Sequence, residues 1–218
     1  MSQPHRSRTA ASPSLTERRK AATQLDIARA AAELFAMKGP DGTTAEEIAG
    51  RAGVALRTFY RYFRSKQDAV GPLLSSGGDR WRALLAEAGP GTGLSQALES
   101  AAVASLSTPD DVAGEGLRWT RGLLRAAQDD PALRAVWYRV NQESEEKLVP
   151  VVARLAGPDA DPLEVRLVAA AATDAIRVAL ETWAVTGEKA AEEDSPARLV
   201  VRCLRELTGG LRLVTHGR

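Results

Sequence analysis

The chain has 218 residues, 44% of them hydrophobic and 26% charged, with a formal net charge of +1 at pH 7. That is an ordinary composition, enough for one helical domain with an appendage or for two modest domains. A single cysteine, Cys203, excludes an intramolecular disulfide and a cysteine-based metal cluster, and apolar runs such as Leu167 to Ala172 are far too short to span a membrane. The basic N-terminus is followed by no apolar segment, so no signal peptide is expected and the reading is a cytoplasmic protein. Charge is unevenly placed: residues 1–66 hold 12 Lys and Arg against 6 Asp and Glu, and residues 67–218 hold 17 against 22. A basic head on a mildly acidic body implies a polyanion partner for the head alone. Abundant alanine and only 5% aromatic residues favour helix throughout.

Residues 1–15 are polar, contain Pro4 and Pro13 and show no periodicity, so they read as a disordered basic tail. Its Arg6 and Arg8 fit either a minor-groove arm or a solvated terminus. A helix is expected from Thr16, with Ile27, Ala31, Leu34 and Phe35 forming an apolar stripe. Arg18, Arg19 and Lys20 crowd its first turn against the helix dipole, a local cost that an external anion would relieve. Lys38-Gly39-Pro40 supplies a glycine stop and a following proline.

Thr44-Ala45-Glu46-Glu47 is a capping box. It opens a short helix whose buried side is Ile48, Ala49 and Ala52, and Gly53 permits the positive φ of a tight turn. The next helix spans about Ala55 to Phe63. Phe59 and Phe63, four apart, turn to the core, leaving Arg57, Tyr60, Arg61 and Arg64 exposed with Thr58 and Tyr62 on the flanks. A third helix is expected to open at Ser65-Lys66. Two short helices around a glycine turn, with arginines and tyrosines on the second, have helix-turn-helix geometry suited to a major groove.

Ile27 to Val70 resembles the DNA-binding domain of the TetR family of bacterial transcriptional regulators. The matching residues are Ile27, Ala30-Ala31, Leu34-Phe35, Gly39, Thr43-Thr44, Ile48-Ala49, Ala52-Gly53-Val54, Thr58-Phe59-Tyr60, Tyr62-Phe63 and Ser65-Lys66. The resemblance implies phosphate contacts from Thr44 and Lys66, backbone or base contacts from Tyr60 and Tyr62, and base reading by Arg57, Thr58 and Arg61. The chain departs from the family pattern at Ala55, where Ser, Thr or Asn usually caps the recognition helix. Alanine there costs about 1 kcal/mol of helix stability and one phosphate contact.

Beyond Lys66, Gly71-Pro72 and Gly77-Gly78 are expected to interrupt the linking helix. In the family that helix transmits ligand state; a plain loop between two shorter helices is the other reading. Further helices are expected at about Leu94–Ser107, Asp110–Gln128, Pro131–Leu155, Pro162–Thr186 and Pro196–Leu213, about nine in all, with Pro150 bending or splitting one of them. The expectation is an all-α chain. Its parts are a tail (1–15), a three-helix helix-turn-helix DNA-binding domain (16–70), and a helical effector-binding and dimerisation domain (71–218).

In TetR-like proteins two C-terminal helices from each subunit build a four-helix dimer interface. Leu167, Ala171, Ala175, Val178 and Thr182, with Leu199, Cys203 and Leu207, fall at the spacing for that role; an ordinary monomer core is the alternative. Family members enclose an effector in the body, for which Trp119, Trp137 and Trp183 offer walls and Arg118, Arg121 and Asn141 polar contacts. The only histidines, His5 and His216, lie at the two ends, and no P-loop, H-E-x-x-H or G-x-S-x-G segment occurs. No catalysis, cofactor or metal is expected. The expected partners are double-stranded DNA, a second copy of the chain and a small-molecule effector, with no membrane. The function implied is a ligand-responsive repressor on a palindromic operator. A helical dimeric interaction or small-molecule-binding protein with a weak DNA-binding head is the competing reading.

Overall fold

A computed structural model describes residues 14–89, 91–107, 111–186 and 195–215. The tail with Arg6 and Arg8, the breaks at Thr108-Pro109 and 187–194, and both histidines lie outside the described residues. Among those described, ten α-helices occur and no strand: α1 (Leu15–Lys38), α2 (Ala45–Arg51), α3 (Leu56–Tyr62), α4 (Gly71–Ala86), α5 (Leu94–Leu106), α6 (Asp111–Ala126), α7 (Pro131–Ala156), α8 (Pro162–Val185), α9 (Pro196–Thr208) and α10 (Arg212–Thr215). A short 3-10 turn, Asp68–Val70, joins the first three helices to α4. No described helix is long and apolar enough to cross a membrane.

Capping explains most helix starts. Ser14 and Glu17 form a capping box at α1, so Ser14 and Leu15 belong to the helix rather than to the tail. Asp130 caps α7 by accepting from the amides of Ala132 and Leu133, and Asp161 and Ser195 cap α8 and α9. Each of these last three caps precedes a proline in the first turn, where its missing N–H costs nothing.

Expected helix breaks at glycines give way to packing. Gly71-Pro72 starts α4 rather than breaking it, and Gly77-Gly78 sits inside an unbroken helix. The helix survives its glycines because Leu73, Leu74, Trp81 and Leu85 recur at helical spacing and are all buried; tertiary contacts override a propensity cost of about 1 kcal/mol per glycine. Pro150 lies within α7 without splitting it. The last predicted helix ends at Thr208, with Gly209 and Gly210 separating it from the single turn α10.

Two hydrophobic clusters hold the molecule. The first joins Ile27, Phe35, Ile48 and Phe59 of α1–α3 to Leu123, Leu133, Trp137 and Leu180 of α6–α8, so the N-terminal helices share a core with the body. The second packs Trp81, Leu98, Leu148, Val168, Val200 and Leu204 from α4, α5 and α7–α9. Ala175, expected at a dimer surface, is fully buried in this second cluster and faces the chain's own core.

Candidate functional site

Within the N-terminal helices, Thr44 accepts the Glu47 amide while Glu47 accepts the Thr44 amide at 2.8 Å, the reciprocal capping box that starts α2. Lys38 Nζ also donates to Glu47. That ion pair first, and the Thr44 amide next, hold the Glu47 carboxyl below the usual carboxylate range. Gly53 adopts φ 68° at the turn, the left-handed conformation that joins α2 to α3. Ala55 stands at the N-cap of α3 and makes no side-chain cap. Phe59 is fully buried, its ring 5.3 Å from Tyr60 and 5.8 Å from Phe63. This anchor fixes α3 with Arg57, Tyr60 and Arg61 outward; Tyr60 is 55% exposed.

The remaining predicted contact residues fall into two groups. Thr58 and Tyr62 are half-buried on the flanks of α3. Arg61 leans back over the Tyr62 ring, 4.9 Å from its centroid, and donates to the Tyr62 hydroxyl at 3.3 Å. Together they line a shallow depression facing Thr16, Arg19, Lys20 and Thr23 of α1. Lys66 is not at an α-helix start. It is half-buried in the turn before α4 and donates to the Thr43 carbonyl at 3.0 Å, tying that turn to the start of α2.

Among the basic groups of α1–α3, Lys38 and Arg51 pair with Glu47 and Glu33. Exposed Arg18, Arg19, Lys20, Arg57, Arg61 and Arg64 join no ion pair among the described residues. A cluster of exposed cations outside ion pairs, beside exposed aromatic and hydroxyl groups, has the chemistry that a polyanion needs.

The body holds a cavity of about 70 Å³, several times the roughly 10–15 Å³ that one water needs. Its walls come from α4 through α9, including Gly77, Gly78 and Trp81 on one side and Trp137, Asn141, Ser144 and Thr173 on the other. Of the six predicted ligand residues, only Trp137 and Asn141 line it. Trp137 Nε1 donates to Glu181 at 2.8 Å, and the Asn141 amide donates to the Trp137 carbonyl. Arg118 and Trp119 line a separate surface depression against Phe35 of α1. Arg121 turns to the end of α8, where it donates to the Thr186 carbonyl and stacks on Trp183; Arg125 donates to Ala184 beside it. These two arginines satisfy carbonyls that α8 leaves unpaired. Trp81 and Thr173 were not foreseen as cavity residues, and only three-dimensional packing marks them.

Two polar ties join the 3-10 region to α7. Gln67 donates to Asp130 at 3.0 Å, and Arg139 pairs with Asp68 at 2.7 Å. Burial pushes the Asp130 carboxyl up, but the bonds from Gln67, Leu133 and Ala132, with Lys66 nearby, outweigh it and hold the group below the usual aspartate range.

On the outside of the body, Leu163, Leu167 and Val178 of α8 and Leu207 of α9 remain exposed, Leu163 at 63% and Leu207 at 46%. Thr182 is exposed, and Ala171, Leu199 and Cys203 are half-buried along the same two helices.

A chain whose described residues are all helical, with a helix-turn-helix and an exposed cationic face, is a DNA-binding regulator in class. Comparison with known proteins narrows this. Residues 27–70 match the family described as bacterial regulatory proteins, tetR family, and residues 93–212 match the MftR C-terminal domain. The chain is 31% identical over 151 residues to the HTH-type transcriptional regulator TcmR of Streptomyces glaucescens, covering 68% of this chain and 67% of that one. Among solved structures, Salmonella enterica GusR superposes with a TM-score of 0.51 at 21% identity, covering 88% of this chain and 96% of GusR. Thermus thermophilus FadR, a TetR-family repressor in complex with lauroyl-CoA, superposes at 0.50 and 23% identity, covering 86% and 94%. The chain belongs to the TetR family of transcriptional regulators.

Proposed function

We propose that the chain is a homodimeric, ligand-responsive repressor that binds a palindromic operator through two copies of its helix-turn-helix. The observation that carries the DNA reading is the face formed by Arg18, Arg19, Lys20, Arg57 and Arg61, all exposed and outside any ion pair among the described residues. In this reading Arg57 and Thr58 meet base edges and Tyr60 reaches the backbone. Thr44 and Tyr62 add contacts at the margins, while Lys66 positions the turn that supports them. Arg61, bent toward α1, joins Arg19 and Lys20 on the phosphates as readily as it reads a base. Residues 14–70 act as the DNA-binding unit and 71–215 as the effector and dimerisation unit.

Dimerisation is supported by the apolar stripe across α8 and α9: Leu163, Leu167, Ala171, Val178, Leu199, Cys203 and Leu207. A second copy covering it would remove apolar area from water and pair two DNA heads by one two-fold operation. The effector reading rests on the body cavity. Its walls α4 and α7 both continue to the head, α4 through the 3-10 turn and α7 through Asp130 and Arg139. A ligand that fits one arrangement of these helices better shifts the population of head positions.

The test selects bound sequences from a random duplex pool and measures their affinity by fluorescence anisotropy, with sedimentation for stoichiometry. Two protomers on one inverted-repeat duplex is the expected result. Absence of saturable binding to any selected sequence would sink the repressor reading. It would leave the competing one, a helical interaction protein with a weak head, which the uncapped Ala55 favours.

A further inference from the structure

Three consecutive side chains in the turn between head and body reach three different places, and the inference drawn from them rests on the two-headed operator reading above. Lys66 Nζ donates to the Thr43 carbonyl at 3.0 Å, one residue before the Thr44 cap of α2. Gln67 Nε2 donates to Asp130 Oδ2 at 3.0 Å, and the other oxygen of that carboxylate caps α7 by accepting from the Ala132 and Leu133 amides. Asp68 accepts from Arg139 at 2.7 Å, while its own amide donates to Ser65 Oγ and closes the turn.

Asp130 and Arg139 stand at the start of α7 and well inside it, roughly 13 Å apart along the axis by the helical rise per residue. A turn held at one point can swivel. Held at two separated points of one helix it has a fixed direction, and Lys66 passes that direction to α2. The shared apolar cluster keeps the head attached, but apolar contact is non-directional, whereas a hydrogen bond demands both a distance and an angle. Stability is a poor account of these ties: the Arg139 side chain is 49% exposed and that of Asp68 24%, and ion pairs this open add little to it. What they supply is direction.

We infer that Gln67, Asp68 and Arg139 are positioning residues for DNA binding. Without touching DNA, and together with Lys66, they fix the direction of the helix-turn-helix relative to α7, and with it the separation at which the two heads of a dimer meet one operator. A single head on a single half-site needs no such alignment. Two heads do, because a head free to swing lowers the effective concentration for the second half-site once the first is bound.

The test compares the unmodified full chain with Gln67→Met and Arg139→Met, singly and together, on two duplexes. One is the selected inverted-repeat operator, and the other is the same duplex with one half-site scrambled. Fluorescence anisotropy is expected to show each single substitution weakening operator binding about three- to tenfold through the lost effective concentration, with half-site binding within about twofold. The double substitution is expected to cost less than the product of the two, since losing either tie already frees the swivel. Arg139→Lys, which keeps a cation opposite Asp68, is expected to hold operator binding within about twofold of the unmodified chain. The slope of log K against log salt should stay unchanged, because no phosphate contact is lost.

Equal losses on operator and half-site, a shallower salt slope, or operator binding untouched by the double substitution overturns the inference. An unmodified chain that binds the operator as two protomers while the variants show no operator-specific loss defeats this inference alone. An unmodified chain that binds no selected duplex as two protomers defeats the operator reading and this inference with it.

Discussion

The arginines of the head and those of the body are used in different ways. In the body, Arg121 and Arg125 close the end of α8, and Arg134 donates to the Ala127 and Gln128 carbonyls. Arg154 donates to Ala86, Arg177 is clamped by Asp174 and Glu181, and Arg205 pairs with Glu99. Around α1 and α3, Arg18, Arg19, Lys20 and Arg57 stand exposed and outside any described ion pair. Exposed Arg80, Arg166, Arg198 and Arg202 of the body also join no ion pair among the described residues, but they are scattered, whereas the head gathers its open cations on α1 and α3. The arginines that act as mortar are those with carbonyls or carboxylates within reach on a neighbouring turn or helix.

The contrast can be tested at decreasing magnitude. Phe59→Ala empties a fully buried position beneath α3 and should cost about 3–5 kcal/mol. Because α1–α3 share a cluster with α6–α8, thermal denaturation should remain one transition at a lower temperature. Two separated transitions would show that the head melts by itself. Arg57→Ala should leave the melting temperature within about 1 °C, since exposed substitutions typically change stability by no more than about 0.5 kcal/mol. It should still weaken operator binding by about 1–3 kcal/mol. An equal loss on random DNA would move Arg57 from base reading to the phosphates.

Thr173→Val tests the body in the opposite direction. Thr173 is buried on α8 and its Oγ1 has no partner among the described residues. Relieving an unpartnered buried hydroxyl should stabilise the ligand-free chain by about 1 kcal/mol, raising its melting temperature by roughly 2–4 °C; a lower melting temperature would mean that Thr173 has a partner. Ala55→Ser should add a helix cap to α3 worth about 0.5–1 kcal/mol of stability and tighten DNA binding on every sequence alike. The smallest effect belongs to Asp130. Its carboxyl is held below the ordinary value near 3.9, so its contribution is complete above about pH 4 and fades as pH falls through the lowered native value. Asp130→Asn should flatten that acid limb of a stability–pH curve by lowering stability at neutral pH while leaving it little changed below the lowered native value.

How far these features could be read in advance follows from how local they are. The capping box at Thr44, the turn at Gly53 and the buried pair Phe59 and Phe63 depend on residues within four positions of each other, and spacing alone reveals them. Ser14 and Glu17 form the same kind of box, hidden because the polar composition of the tail continues through it. Gly77-Gly78 reads as a break because local propensity says so; the helix persists through buried leucines and Trp81, whose partners are distant in sequence. The cavity is the least legible part. Six helices supply its walls, and nothing in the spacing of Arg118 and Arg121 tells that one faces α1 and the other the end of α8. Ala175 fits an interface pattern as well as Ala171 does, and only packing places it inside.

The central claim is that the unpaired cations of α1 and α3 meet DNA phosphates. The most direct measurement is the salt dependence of operator affinity for the unmodified chain and for an Arg19→Ala, Lys20→Ala variant. Each phosphate contact contributes about −0.9 to the slope of log K against log salt, so the account predicts a steep slope that becomes shallower by about 0.9 for every contact the variant loses. A slope near zero, or one that the double substitution leaves unchanged, would contradict it.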